Sequence, residues 1–195
     1  MNDEPVDVPA LVDRAQHRAL EIGFAMTSDN RTGSLLRTLA ASKPGGRLLE
    51  IGTGLGAGAA WLLAGMDDAA RLTTIEADPD LAGNARQLLA DDHRATVLTA
   101  DAAEWLASYT DEPFDLVFVD WRTGKFEHRA LLLGHLVGGA LYVGDDLSPQ
   151  LTWPDDHAAK VDRFLAEIIE EPALAVTPMD WSSGLVVAAR RGDRT

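Results

Sequence analysis

From Leu48 onward, short apolar runs alternate with longer stretches that have the spacing of helices. Strands separated by helices of this length are joined by crossovers, so the alternation predicts parallel βαβ units. Five strands are predicted, at residues 47–51, 72–76, 95–99, 114–119 and 140–144. The pattern therefore predicts an α/β fold with a doubly wound sheet and helices on both of its faces.

The last third of the chain has a different pattern. Residues 157–171 place apolar side chains at helical spacing, and Pro172 then stops the helix. The runs at residues 173–177 and 184–189 flank the turn-like segment PMDWSS, which predicts a C-terminal antiparallel β-hairpin at one side of the sheet. The whole prediction is a mostly parallel sheet of seven strands. Two earlier helices are predicted at residues 8–23 and 33–41.

The charge of the chain limits what it can bind. A formal net charge of -14 disfavours nucleic acid and anionic membrane surfaces as partners. The chain has no cysteine, which excludes a thiolate metal site and a cysteine nucleophile. Its acidic start lacks the features of a signal peptide, and no apolar run approaches the roughly 20 residues that span a bilayer. A soluble, cytoplasmic protein is expected.

A glycine-rich loop follows the first strand. Between Leu48 and Leu63 the chain passes from a strand through four glycines into an alanine-rich helix; these glycines are Gly52, Gly54, Gly56 and Gly58. Such a loop turns sharply and brings a helix N-terminus close to a bound nucleoside. The register Gly52, Gly54, Ala57 also fits the dinucleotide pattern, so an NAD-dependent oxidoreductase is an alternative.

Acidic residues surround this loop. Glu76 ends the second strand, where a carboxylate accepts hydrogen bonds from the ribose hydroxyls of NAD or of another adenosine-containing cofactor. Glu50 lies two residues before Gly52, where it suits the ammonium group of a cofactor with a methionine moiety and would repel the pyrophosphate of a dinucleotide. The alternative for Glu50 is a solvated strand end. Asp101 follows the third strand.

Three more carboxylates end the fourth and fifth strands. Asp120 follows the fourth strand, and Asp145 and Asp146 follow the fifth. In a doubly wound sheet these positions share the ligand-binding edge, where three carboxylates would repel one another. Mg²⁺ prefers oxygen ligands and would relieve that repulsion. The alternatives are solvated acids or, for Asp146, a helix N-cap.

Taken together, these segments resemble the small O-methyltransferases of the catechol and caffeoyl-coenzyme A type, within the class I S-adenosylmethionine-dependent methyltransferases. The resemblance covers roughly residues 24–190. It is carried by LLEIGTGLGAG, LTTIEADPD, TADAAEWL, FDLVFVDW and GGALYVGDDL, in the order of that family. A weaker match, FAMTSDNRTGSLLRTLAA, resembles the segment that closes over the methionine end of the cofactor.

The resemblance implies which residues form the site. S-adenosylmethionine would be bound by Met26, Ser28, Glu50, Gly52, Thr53, Gly54, Gly56, Glu76, Asp101, Ala102, Asp120 and Trp121. The metal positions of the family hold Asp, Asp and Asn, whereas this chain has Asp120, Asp145 and Asp146. It also implies a homodimer. One domain, 1–195, is expected, with N-terminal helices in residues 1–45 covering the cofactor and a Rossmann-like core in residues 46–195.

The chain departs from the family at the position of the catalytic base. A lysine often lies three residues after the first metal-binding aspartate, but here that position is Thr123, and Lys125 comes two residues later. Asp120 and Lys125 are the catalytic candidates. A desolvated lysine can act as a base, and the competing interpretation, which the sequence favours, is an exposed residue that starts a helix.

The tryptophans predict the shape of the acceptor pocket. Trp121, Trp153 and Trp181 all lie in loops at the active-site edge, where they are predicted to line a pocket for a flat substrate. The alternatives are that these side chains only pack against the protein, or that Trp121 lies near the adenine. Trp61 and Trp105 are expected in helix cores. None of the five histidines is assigned to catalysis.

The expected function is metal-assisted O-methylation of a small acceptor that carries an aromatic hydroxyl or a vicinal diol. Besides the oxidoreductase, a noncatalytic binding module is an alternative, because the family lysine is missing.

Overall fold

Within residues 3–5, 7–150 and 153–192, which the computed structural model describes, seven strands form one sheet in the order β3-β2-β1-β4-β5-β7-β6. Strands β1 to β5 pair in parallel, whereas β7 is antiparallel to both β5 and β6. The strands are β1 Arg47–Ile51, β2 Arg71–Glu76, β3 Ala95–Thr99, β4 Phe114–Val119, β5 Leu136–Gly144, β6 Leu174–Met179 and β7 Leu185–Arg190. The predicted mostly parallel sheet with a C-terminal hairpin is confirmed.

Helices cover both faces of this sheet. They are α1 Ala10–Ile22, α2 Asn30–Ala41, α3 Ala57–Gly65, α4 Pro79–Leu89, α5 Ala102–Ser108, α6 Arg129–Gly134 and α7 His157–Ile169. Helices α1 to α4 contribute to one buried apolar cluster, and α5 to α7 contribute to the other. In the described part of the chain, none of these helices has the length and apolarity needed to cross a membrane.

The central strands β1 and β4 are largely apolar because both of their faces are buried, and the buried Glu50 of β1 is the main exception. In β1, Leu48 faces the cluster of α1 to α4, while Leu49 and Ile51 face the cluster of α5 to α7. In β4, Phe118 and Val119 divide in the same way. Alternate side chains of a strand point to opposite faces, so a strand covered on both sides reads as one continuous apolar run.

Helices α2 and α3 approach each other closely at two glycines. A Cβ added at Gly33 would lie 2.1 Å from the indole ring of Trp61, and one added at Gly65 would lie 2.0 Å from the carbonyl oxygen of Arg37. The absence of side chains at these positions is therefore what permits the contact. It fixes α2 against the helix that follows the glycine-rich loop.

The two largest differences from the predicted element boundaries have identifiable reasons. Helix α2 begins three residues early because the side chain of Asp29 accepts a hydrogen bond from the Arg31 amide at 2.8 Å and caps it. Strand β5 begins at Leu136, four residues early. Its Gly139 has φ 83° and the pairing with β4 shifts register there, so the glycines conceal the start of the strand.

Candidate active site

The carboxyl ends of β1, β2, β4 and β5 bring the glycine-rich loop and the predicted acidic residues to one edge of the sheet. The order of the strands reverses between β1 and β4, since β1 is followed on one side by β2 and on the other by β4. Such a reversal opens a crevice at the carboxyl ends of the strands, which is the usual binding place in doubly wound sheets.

The glycine-rich loop has a backbone that other residues would not adopt easily. Gly52, Gly54 and Gly56 have φ values of 95°, 53° and 92°. A Cβ at Gly52 would lie 2.7 Å from the carbonyl oxygen of Asp120, so β1 and β4 pass close together at this point. Glycine is needed here both for the turn and for the close approach.

Glu76 is tied to this loop. One carboxylate oxygen accepts a hydrogen bond from the Gly54 amide at 2.9 Å, and the other accepts one from the Asp78 amide at 3.0 Å. An open cleft lies beside it, lined by Ile51, Gly52, Ile75, Glu76, Ala77, Ala100, Asp101, Ala102 and Trp121. The structure thus brings the residues predicted for the nucleoside half of the cofactor into one cleft.

Asp101 has a local role that the sequence interpretation missed. Its side chain caps α5 by accepting hydrogen bonds from the amides of Ala103, at 2.8 Å, and Glu104, at 3.0 Å. An aspartate followed three residues later by a glutamate is a typical signal for the start of a helix, so the sequence did contain the information. The cap holds Asp101 at the rim of the cleft.

Glu50 is the most unusual residue of the site. Its side chain is only 1% exposed, and the solvated strand end considered above is therefore wrong. One oxygen accepts a hydrogen bond from the Thr74 hydroxyl at 2.5 Å, while Oε1 is buried and has no partner in the described part of the chain. Burial raises the pKa of Glu50 to about 8; the Thr74 hydrogen bond opposes this rise, and the charges of Asp120 and Glu76 add to it.

The free oxygen of Glu50 points toward the start of α3. A Cβ at Gly58 would lie 2.3 Å from Oε1 and 3.3 Å from the hydroxyl oxygen of Ser28. Thr53 extends the polar group, because its hydroxyl is 2.5 Å from that of Thr74. A buried acceptor without a donor is energetically costly, so this arrangement is suited to a ligand that brings a cationic donor.

The segment that precedes α2 lies across the glycine-rich loop. The Phe24 ring comes within 3.3 Å of the position of a Cβ at Gly54, and the Met26 carbonyl oxygen lies 4.0 Å from that same position. Ser28 faces Gly58, as described above. The Met26 side chain itself is 72% exposed. The predicted covering segment and loop are therefore neighbours.

Lys125 lies among the three strand-end aspartates. It is only 3% exposed, and its ammonium group donates a hydrogen bond to the Asp145 carbonyl oxygen at 2.6 Å. The favoured expectation of an exposed lysine at a helix start is wrong, because α6 begins only at Arg129. Burial lowers the pKa of Lys125, against the opposing effect of the nearby aspartates, Asp120 foremost.

The aspartates are themselves perturbed by their surroundings. Burial raises the pKa of Asp120 well above its ordinary value; Asp145 and Asp146 add to the rise, and Lys125 opposes it. Burial also raises the pKa of Asp145, although hydrogen bonds from Ser183 and the Asp146 amide act in the opposite direction. Such shifts in a crevice are typical of functional sites.

The carboxylates do not form a ready-made magnesium site. One oxygen of Asp146 accepts hydrogen bonds from Trp153 Nε1 at 2.9 Å and Gln150 Nε2 at 2.5 Å, and the other lies 3.6 Å from His157 Nε2. No group of three or more acidic or histidine residues in the described ranges is arranged to hold a metal ion. The predicted set Asp120, Asp145 and Asp146 does not fit the ion as placed, because Asp146 is turned to these other partners. Nor does Asp146 cap a helix.

The tryptophans divide between the site and the core. Trp121 is 45% exposed and lines the cleft beside Glu76, while Trp153 contacts Asp146. Trp181 donates a hydrogen bond to the Asp3 carboxylate at 2.9 Å. Trp61 is fully buried and Trp105 packs against the core, as predicted.

With this geometry in place, known proteins provide a comparison. A family model described as "Methyltransferase domain" matches residues 49–147, from β1 through the end of β5. A protein of Mycolicibacterium vanbaalenii, which its name assigns to the O-methyltransferases, is 30% identical over 96% of this chain and 87% of its own length. The chain belongs to this methyltransferase family. Its membership removes the NAD-dependent oxidoreductase alternative.

Solved structures agree with this methyltransferase assignment. The O-methyltransferase TomG from Streptomyces achromogenes, in complex with SAM, has 25% identity and a TM-score of 0.81, covering 96% of this chain and 92% of its own. An O-methyltransferase from Bacillus cereus in complex with SAH has 22% identity and a TM-score of 0.81, covering 95% and 93%, and shares the fold.

Proposed function

We propose that this chain transfers the methyl group of S-adenosylmethionine to an oxygen of a small hydroxylated acceptor. The observation that carries the proposal is the buried Glu50 oxygen beside the glycine-rich loop, for which the described residues provide no partner, with Glu76 held at the next strand end. The two carboxylates are suited to the two ends of one ligand: the methionine ammonium at Glu50 and the ribose hydroxyls at Glu76.

The residues of this chain would act mainly by positioning. Glu50, with Ser28 nearby, binds the ammonium; Glu76, Asp101 and the cleft beside Trp121 hold the nucleoside. The remaining proposed cofactor contacts come from the loop, Gly52, Thr53, Gly54 and Gly56, and from Met26, Ala102 and Asp120. Fixing the sulfonium methyl in line with an acceptor oxygen is worth several orders of magnitude in rate.

Methyl transfer is an in-line displacement. A bond forms between the acceptor oxygen and the methyl carbon as the bond from carbon to sulfur breaks, leaving S-adenosylhomocysteine. The proton of the hydroxyl must go to a base. Asp120 and Lys125 are the proposed catalytic residues: Lys125 accepts the proton, since its burial lowers its pKa, and Asp120 helps to stabilise the resulting ammonium.

The first test is isothermal titration with S-adenosylhomocysteine, with NAD as the control ligand. Binding of the former and not the latter is expected. A second test screens aromatic hydroxyl compounds and vicinal diols with methyl-labelled S-adenosylmethionine. One reproducible labelled product removes the noncatalytic alternative, whereas a protein that binds the cofactor but labels nothing in a broad panel supports that alternative.

Magnesium assistance has a separate test, because the carboxylates must rearrange to bind the ion. Asp146 has to release Trp153 before all three can become ligands, so titration with MgCl₂ is expected to change Trp153 fluorescence. Trp153→Phe identifies the signal, and Asp145→Ala should remove it. A flat titration, with methyl transfer that resists exhaustive chelation, discards the magnesium prediction.

A further inference from the structure

The turn between β6 and β7 is packed against the segment that leaves β5. Both the Leu147 and Ser148 amides donate hydrogen bonds to the Ser183 carbonyl oxygen, at 3.1 and 2.8 Å. A Cβ at Gly184 would lie 2.3 Å from the Ser148 amide nitrogen, so only glycine permits the contact. The turn therefore contacts the backbone immediately after Asp145 and Asp146.

The side chains of the same turn link two distant carboxylates. Ser183 donates a hydrogen bond to Asp145, at the end of β5, and Ser182 donates one to Asp29, at 2.8 Å. Between them lies the Thr32 hydroxyl, 2.8 Å from that of Ser182 and 3.3 Å from that of Ser183. We call Thr32, Ser182 and Ser183 the hydroxyl clasp.

The number of protons fixes the direction of these hydrogen bonds. Each hydroxyl has one proton to donate, and both serines direct theirs to a carboxylate. Thr32 therefore donates to a serine oxygen, and Ser182 is the nearer one. Thr32 is fully buried, and it belongs to α2, which the Gly33 contact fixes against α3. The clasp thus connects a rigid helix to a site carboxylate.

We propose that the hydroxyl clasp is a positioning element of the active site, which transmits the fixed position of α2 to Asp145 and to the loop after it. The consequence for catalysis rests on the function proposed above; the consequence for the loop does not. Thr32 and Ser183 are positioning residues here. They act through Asp145 and do not themselves contact the cofactor in this account.

The test compares Thr32→Val, which removes the hydroxyl and keeps the shape, with Thr32→Ser, which keeps the hydroxyl. Thr38→Val is the matched control, because Thr38 is an exposed residue of the same helix whose hydroxyl bonds only within it. Ser183→Ala is a second variant outside the core, for the case that Thr32→Val does not fold. Two quantities are measured: hydrogen exchange at the Leu147 and Ser148 amides, and methyl transfer with the best acceptor of the panel.

For Thr32→Val and Ser183→Ala we expect both amides to exchange about tenfold faster. We also expect kcat to fall about tenfold while the Kd of S-adenosylhomocysteine stays within about twofold. Thr32→Ser should keep the amide exchange rates and kcat close to those of the wild type, and Thr38→Val should change neither. Unchanged exchange in both variants overturns the proposal, and faster exchange with unchanged kcat overturns the catalytic role. Failure of the wild type to bind S-adenosylhomocysteine would instead overturn the proposed function, and the exchange result would still decide on the clasp.

Discussion

At the scale of single residues, the site depends on a carboxylate kept in an unfavourable place. Glu50 has one oxygen bonded to Thr74 and one with no partner among the described residues, and its side chain is almost fully buried. If Glu50 binds the cofactor as proposed, its position serves binding at the expense of stability, which is a recurrent property of functional sites. Two predictions separate these effects.

The first prediction is that Glu50→Gln acts in opposite directions on binding and folding. Loss of the charge should weaken S-adenosylhomocysteine binding about tenfold or more, because the ammonium loses a charge-assisted hydrogen bond. The free energy of unfolding in the absence of ligand should stay equal or rise, because a buried carboxylate is removed. Titration calorimetry and urea denaturation measure the two, with the exposed Glu170→Gln as control. Unchanged affinity would remove Glu50 from the binding site.

The second prediction concerns pH. Because burial raises the pKa of Glu50 to about 8, we expect Glu50 of the free protein to be mostly protonated below that pH, and binding of an ammonium group at Glu50 should then release a proton. Affinity should therefore rise about tenfold per pH unit between about pH 6 and 7.5 and then level off, while Glu50→Gln gives a flat profile. The sign for folding is opposite: the folded pKa is raised from 4.5, so stability falls as pH rises toward about 8. Proton release measured in two buffers of different ionisation enthalpy checks the first statement.

The sequence predicted the location of a side chain correctly where that location follows from its place in a strand. The prediction failed where contacts with residues distant in the sequence determine whether the side chain is buried. Glu76 and Asp120 end strands, and the edge of the sheet brings them together as expected. Lys125 lies in a loop without periodicity, so nothing local indicated that it is buried. The pairing of Thr32 with Ser182 joins positions 150 residues apart, which no local pattern contains.

At the scale of elements, the contact between α2 and α3 depends on the missing side chain of Gly33. We predict that Gly33→Ala lowers the free energy of unfolding by about 2 to 4 kcal/mol, because the added methyl group would overlap the Trp61 ring. Gly83→Ala is the control: Gly83 lies within α4, and an added Cβ would meet nothing within 4 Å. That change should stabilise by about 0.5 to 1 kcal/mol. Urea denaturation decides, and equal effects of the two changes would contradict the packing argument.

Strand boundaries show the same division between local and distant causes. The strands β1, β3 and β4 have the predicted bounds because their apolar runs end in clear turn or helix signals. The start of β5 was missed because Gly138 and Gly139 resemble a turn, although the strand pairs with β4 on both sides of them, at Leu136 and at Leu141. Propensity is overruled there by a neighbour that the local sequence does not reveal.

At the scale of the whole molecule, one sheet separates two apolar layers that share every central strand. We predict that both layers unfold together, since neither can keep its strands without the other. Trp61 reports on the layer of α1 to α4 and Trp105 on the opposite layer. Single-tryptophan variants that keep one or the other should give coincident urea transitions by fluorescence. Separate midpoints would show two independent folding units.

The connection between Trp181 and Asp3 has a practical consequence for anyone who handles the molecule. It holds Asp3 beside the turn that borders the candidate active-site crevice. Strand β7 then runs away from that turn and ends at Arg190, at the opposite end of the strands. The Arg190 guanidinium donates hydrogen bonds to carbonyl oxygens near the start of β5. We therefore expect a surface tether attached beyond Arg190 to leave the crevice open, whereas one attached close to Asp3 would lie beside it.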